Sequence, residues 1–162
     1  MRSRPFLVLT GAAAAMGGTA RIAAIFTTPI AAPQTLAWFY FAIDVLLMLG
    51  LAGWYVLRAE RLGHAGLIGF VIALSAILLI RSADQLGATY RTGASMLAVG
   101  LAVMSAAALL RGDKPLLAPT LWLLCLVSGV VAFAFAPAAT AAFVLFGLGY
   151  VAAGVELLRS RT

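Results

Sequence analysis

IRSADQLGATYR, residues 80 to 91, packs Arg81, Asp84, Gln85, Tyr90 and Arg91 into one short stretch between two long apolar runs. The runs on either side, at about 65–82 and 88–110, have the length of helices that cross a bilayer core of about 30 Å, for which about 20 apolar residues suffice. The same alternation of apolar run and short break repeats in both directions along the chain. It decides the fold class: all-α, a polytopic membrane protein with six transmembrane helices in a compact bundle joined by short loops.

Working outward, the predicted helices lie at about 5–28, 35–57, 65–82, 88–110, 116–135 and 138–158, all within a single transmembrane domain covering 1–162. The breaks have distinct chemistry. Pro29, Pro33 and Gln34 make an uncharged turn, RAERLGH (58–64) and RGDKP (111–115) are charged, and Pro137 divides a stretch too long for one crossing. The first 18 residues have the charged head and apolar core of a signal peptide. Their apolar run continues to Phe26, so a retained first helix is expected.

Composition agrees with this reading. Of 162 residues, 64% are hydrophobic and 10% charged, whereas soluble domains average about 45–50% and about 25%. The excess of 11 Lys and Arg over 5 Asp and Glu is spread over predicted helix ends, where it sets orientation; nucleic acid is therefore not an expected partner. Cys125 stands alone, as does His64, so no disulfide, paired-thiol redox site, metal site or cofactor is expected.

Charge asymmetry then orients the bundle. Arg2, Arg4, Arg58, Arg61, Arg111, Lys114, Arg159 and Arg161 fall on one side, eight cations in all, while the opposite side has uncharged turns and the 80–91 cluster. Cationic loops stay in the cytoplasm, which predicts both termini inside. Trp38, Phe39 and Tyr40 at one end of the second helix and Trp54 and Tyr55 at the other are spaced as two interfacial belts. One Lys against ten Arg, with abundant Ala and Gly, points to a GC-rich bacterium and so to a bacterial inner membrane.

Charges inside spans require an explanation, because a central Lys, Arg or Asp costs about 2.5–3.5 kcal/mol. Three need one here: Arg21, Asp44 and Arg81. Asp44 is too short to reach water and is expected to be the only deep titratable carboxyl available for coupling. Arg21 stands above a small-residue face of Ala14, Gly17 and Gly18, which lets a neighbouring helix approach closely. Connectivity makes the second helix that neighbour, so an Arg21–Asp44 pair is the expected contact. Arg81 shares a helical face with Asp84 and Gln85 at spacings of three and four, and Tyr90 and Arg91 open the next helix on the same side.

The candidate binding residues are therefore Arg21, Tyr40, Asp44, Arg81, Asp84, Gln85, Tyr90 and Arg91, with three Arg against two Asp. Arg forks pair carboxylate and phosphate bidentately, so an outer mouth of this charge suits an anionic or zwitterionic small molecule or a lipid headgroup. Membrane lipids are expected partners, with a second copy or a larger membrane complex as further candidates. No catalytic residues are assigned: GxSxG, HExxH and Walker motifs are missing, and Lys114 lies in a loop. The leading expectation is a non-enzymatic transport or carrier component with Asp44 as its coupling carboxyl. The alternatives are a membrane-embedded enzyme acting on a lipid or isoprenoid at the periplasmic face, and a structural or accessory subunit.

Lesser features are read as packing. Cys125 is a small buried hydrophobe, and Tyr150 should find a hydrogen-bond partner beside Gly147, Gly149 and Gly154. Gly93, Ser95, Gly100 and Ser105 form a packing face. Glu60, His64 and Asp113 are solvated polar groups.

Overall fold

The computed structural model describes residues 3–27, 33–86, 90–112 and 114–160, the side chains of 27, 33 and 83–86 excepted. Within them the chain forms five helices and no strand: α1 Arg4–Thr27, α2 Pro33–Leu86, α3 Tyr90–Leu110, α4 Leu117–Val131 and α5 Pro137–Arg159. Four are long and apolar enough to cross a membrane. With 15 residues α4 is shorter, about 22 Å at 1.5 Å per residue.

The 54-residue α2 is two helices in succession. Gly63 sits inside it at φ 58° and ψ −154°, a conformation essentially restricted to glycine. Tyr55 and Phe70 stack with ring centroids 4.4 Å apart, although on one straight helix they would stand about 22 Å apart. The chain therefore folds back at Gly63 into antiparallel segments, 33–62 and 64–86. The Arg111 guanidinium lies against Gly63 and donates to the Arg61 carbonyl, satisfying an acceptor that the first segment leaves open at its end.

This corrects the expected loop at 58–64. The stretch stays helical through Leu62 because its charges are phased: Arg58 and Leu62, four apart, are both buried, while Glu60, Arg61 and His64 are exposed. A second correction concerns α4, which ends at Val131 rather than near 135. Its last carbonyls are taken by tightened turns, Phe133 N–H to Val130 and Ala134 N–H to Val131, before Pro137 starts α5. Asp113 lies outside the described residues.

The helices close a ring in which α1 packs on α2 and α5, α5 on α4, α4 on α3, and α3 on α2. Small residues permit the closest approaches. A Cβ added to Gly18 would stand 2.5 Å from the Gly147 carbonyl oxygen, and one on Gly147 would stand 2.7 Å from that of Gly18. The small face of α1 thus serves two neighbours: Ala14 and Gly17 meet the first segment of α2, while Gly11 and Gly18 meet α5. On α3, Gly93 and Gly100 pack on Ile80 and Ala73 of α2, and Ser105 is buried, but Ser95 is exposed and takes no part in that face.

Aromatic placement divides in the same way. Trp38 is 69% exposed at the start of α2, as a belt residue should be, whereas Trp54 is fully buried. Phasing again explains the difference, since Trp54 shares the inward face of Leu47, Leu51 and Arg58.

The fold-back predicts that Tyr55→Cys and Phe70→Cys, combined in a Cys125→Ala background, are bridged within one chain by a short bifunctional maleimide, too short to span the separation on one straight helix. A mobility shift on denaturing gels reads the result. Failure to cross-link would indicate a continuous α2.

Candidate functional site

The predicted residues gather at the end of the ring opposite the Gly63 turn. Asp44 and Arg81 lie 19 and 18 residues from Gly63 on the two antiparallel segments, so they stand level. They pair, with Arg81 Nη2 donating to Asp44 Oδ2 at 2.7 Å. The Arg81 guanidinium also lies 5.7 Å from the Phe41 ring.

The expected Arg21–Asp44 pair is therefore replaced. Arg21 does reach this level from α1, but it donates through Nη2 to the Tyr90 hydroxyl at the start of α3. Its guanidinium lies 5.5 Å from the Tyr40 ring and 5.1 Å from the Phe143 ring of α5. Hairpin geometry decides the choice, since residues equidistant from a tight turn are fixed opposite each other, whereas α1 joins α2 through a separate connection. Arg21 is left in an aromatic and phenolic cradle with no carboxylate in ion-pair contact among the described residues.

Arg91 goes elsewhere. Successive helical residues point about 100° apart, so Tyr90 faces Arg21 while Arg91 turns outward and stacks 4.1 Å from the Phe133 ring beyond α4. The structure thus brings together Arg21, Tyr40, Asp44, Arg81 and Tyr90, and separates Arg91. Asp84 and Gln85 have side chains outside the described ones.

At the other end lies a cluster the sequence reading overlooked. Arg58 Nε donates to Glu156 Oε1 at 2.8 Å, Trp54 Nε1 to Glu156 Oε2 at 3.1 Å, and Arg58 Nη2 to the Pro115 carbonyl at 2.7 Å. The guanidinium sits 4.8 Å from the Trp54 ring, and Arg58 is 2% exposed. Asp44 is therefore not the only deep carboxyl; with a side chain only 9% exposed against 21%, Glu156 is the more buried. The rule that singled out Asp44, a charge within an apolar helix, applies equally to Glu156 and would have found it. Phe133 and Phe143 carry no such signal, because a phenylalanine becomes a cation partner only through packing.

Between the two ends runs an aromatic column. Trp54 meets Trp122 at 5.1 Å and Trp122 meets Tyr150 at 5.3 Å, both edge-on. Among the described residues the Tyr150 hydroxyl, expected to find a partner, has none, and neither has the Trp122 indole N–H. Cys125 is buried as expected. No three His, Cys, Asp or Glu side chains gather as a metal site among the described residues.

Chemically, the cluster at the Asp44 end holds one ion pair, Arg81 with Asp44, and one cation, Arg21, with no carboxylate in ion-pair contact among the described residues. Asp44 is engaged by Arg81, while Arg21 carries a planar fork able to meet the oxygens of an anion. The pairing predicts that Asp44→Asn destabilises the protein by roughly 1–2 kcal/mol, less than the cost of a charge at a span centre because Arg81 is partly open to its surroundings. Adding Arg81→Gln should recover most of the loss in a detergent thermal-unfolding assay, and adding Arg21→Gln should not. Recovery by Arg21→Gln instead would restore the pairing first expected.

No family model, curated protein or solved structure matches the chain, so the reading of the outer cluster rests on its own chemistry.

Proposed function

We propose that the chain is a multi-pass protein of a bacterial inner membrane, crossing it six times with both termini in the cytoplasm. Its outer cluster binds an anionic or zwitterionic small or lipid-derived molecule as a transport or carrier component. The long apolar helices, the fold-back of α2 and the one-sided distribution of cations support the topology.

One observation carries the binding reading: Arg21, held by Tyr90, Tyr40 and Phe143, has no carboxylate partner among the described residues while its neighbour Asp44 is engaged by Arg81. A guanidinium oriented by ring faces presents its donor edges to a ligand, and its planar fork matches carboxylate and phosphate oxygens. The same observation favours a carrier over an enzyme built on these residues, because the carboxyl that would serve as acid or base is already in an ion pair.

Native mass spectrometry in mild detergent tests this reading. The wild-type protein should retain a small anionic molecule. Arg21→Gln should lower its occupancy at least about ten-fold, consistent with loss of a charged hydrogen bond of about 1.5–3 kcal/mol. Arg21→Lys should fall between the two, since Lys offers a point charge without the fork. Equal retention by wild type and Arg21→Gln would overturn the proposal.

A further inference from the structure

Arg91 tops a groove that belongs to neither ion pair. A cavity of about 600 Å³ is lined by Ile72 of the second α2 segment, by Arg91, Ser95, Met96 and Val99 of α3, and by Phe133. Its volume falls in the range of about 300–1,000 Å³ typical of ligand sites. From Arg91 to Val99 the groove follows α3 for about 12 Å, at 1.5 Å per residue. The lower part is aliphatic, and its outer end carries the cation.

The geometry points to a site for one anionic glycerophospholipid, its phosphate on Arg91 and an acyl chain lying along Ile72, Met96 and Val99. Stacking on Phe133 at 4.1 Å fixes the guanidinium plane and leaves its N–H edges for phosphate oxygens. Ser95, exposed one helical turn below Arg91, adds a hydroxyl on the same face. The first turn of α3 contains no acid that would repel an anion. Among the described residues Arg91 has no carboxylate in ion-pair contact, and charge complementarity therefore selects the lipid. An apolar groove with a cation at its bilayer-surface end matches an amphiphile and does not match a free anion.

This site is separate from the Arg21 cluster, and the test keeps the two apart. Purified protein is stripped of lipid in mild detergent and titrated with phosphatidylglycerol, with bound lipid counted by native mass spectrometry. Wild type should take up one lipid in preference to further copies. Arg91→Gln should weaken that first binding about ten-fold, and Met96→Trp, which fills the groove without touching the charge, should weaken it as well. Arg21→Gln should leave it unchanged, and millimolar inorganic phosphate should not compete. Wild-type binding by Arg91→Gln would overturn the headgroup assignment, and wild-type binding by Met96→Trp would overturn the chain assignment. Displacement by inorganic phosphate would overturn the lipid in favour of a free anion.

Discussion

Arg58 and Glu156 meet where water does not reach, with side chains 3% and 9% exposed, and everything at that end of the bundle is arranged around the charge they share. A buried pair is stable only when its remaining donors and acceptors are also satisfied; removing one partner costs about 3–5 kcal/mol. Here the second carboxylate oxygen accepts from Trp54 and the guanidinium reaches the Pro115 carbonyl, so α2, α5 and the connection before α4 are tied at one point. Trp54 then seats Trp122, and Trp122 seats Tyr150, which carries the order of this end into the middle of the ring.

The opposite end is arranged differently. Its ion pair, Arg81 with Asp44, is more open, and two further cations lie against aromatic rings with no acid in ion-pair contact among the described residues. A bundle closed at one end by a satisfied charge and left cationic at the other has a built-in direction. That asymmetry is what the carrier proposal uses: one end is tied by the hydrogen bonds of Arg58 and Glu156, and Arg21 at the other end offers its fork to a ligand. The two proposed anion sites are likewise distinct, one under Tyr90 around Arg21 and one on the flank of α3 around Arg91.

Much of this was legible in the sequence, and the exceptions share a cause. Apolar runs and their breaks located the helices, apart from the ends of α4 and of the first α2 segment, and the convergence of Arg21, Tyr40, Asp44, Arg81 and Tyr90 followed from their level in antiparallel helices. What failed was phase. RAERLGH looked like a loop because it is charged, yet its charges lie on one side of a continuing helix and Arg58 points inward. Trp54 looked like a belt residue by depth and is buried by phase. Tyr90 and Arg91 looked like one site by proximity and diverge by one helical step. The partner of Asp44 follows once the turn is placed at Gly63: counting from it gives 19 and 18 residues, which sets Asp44 level with Arg81.

The proposed function requires the two ends to face opposite sides of one membrane, and this can be measured directly. In a Cys125→Ala background, Gln34→Cys lies near the outer end of α2 and His64→Cys beside its turn, both at exposed positions. A membrane-impermeant maleimide applied to intact cells should label Gln34→Cys at once and His64→Cys only after the membrane is permeabilised. Labelling of both positions from the same side, or in the reverse order, would contradict the six-crossing arrangement and remove the outward-facing cation cluster on which the proposed function rests.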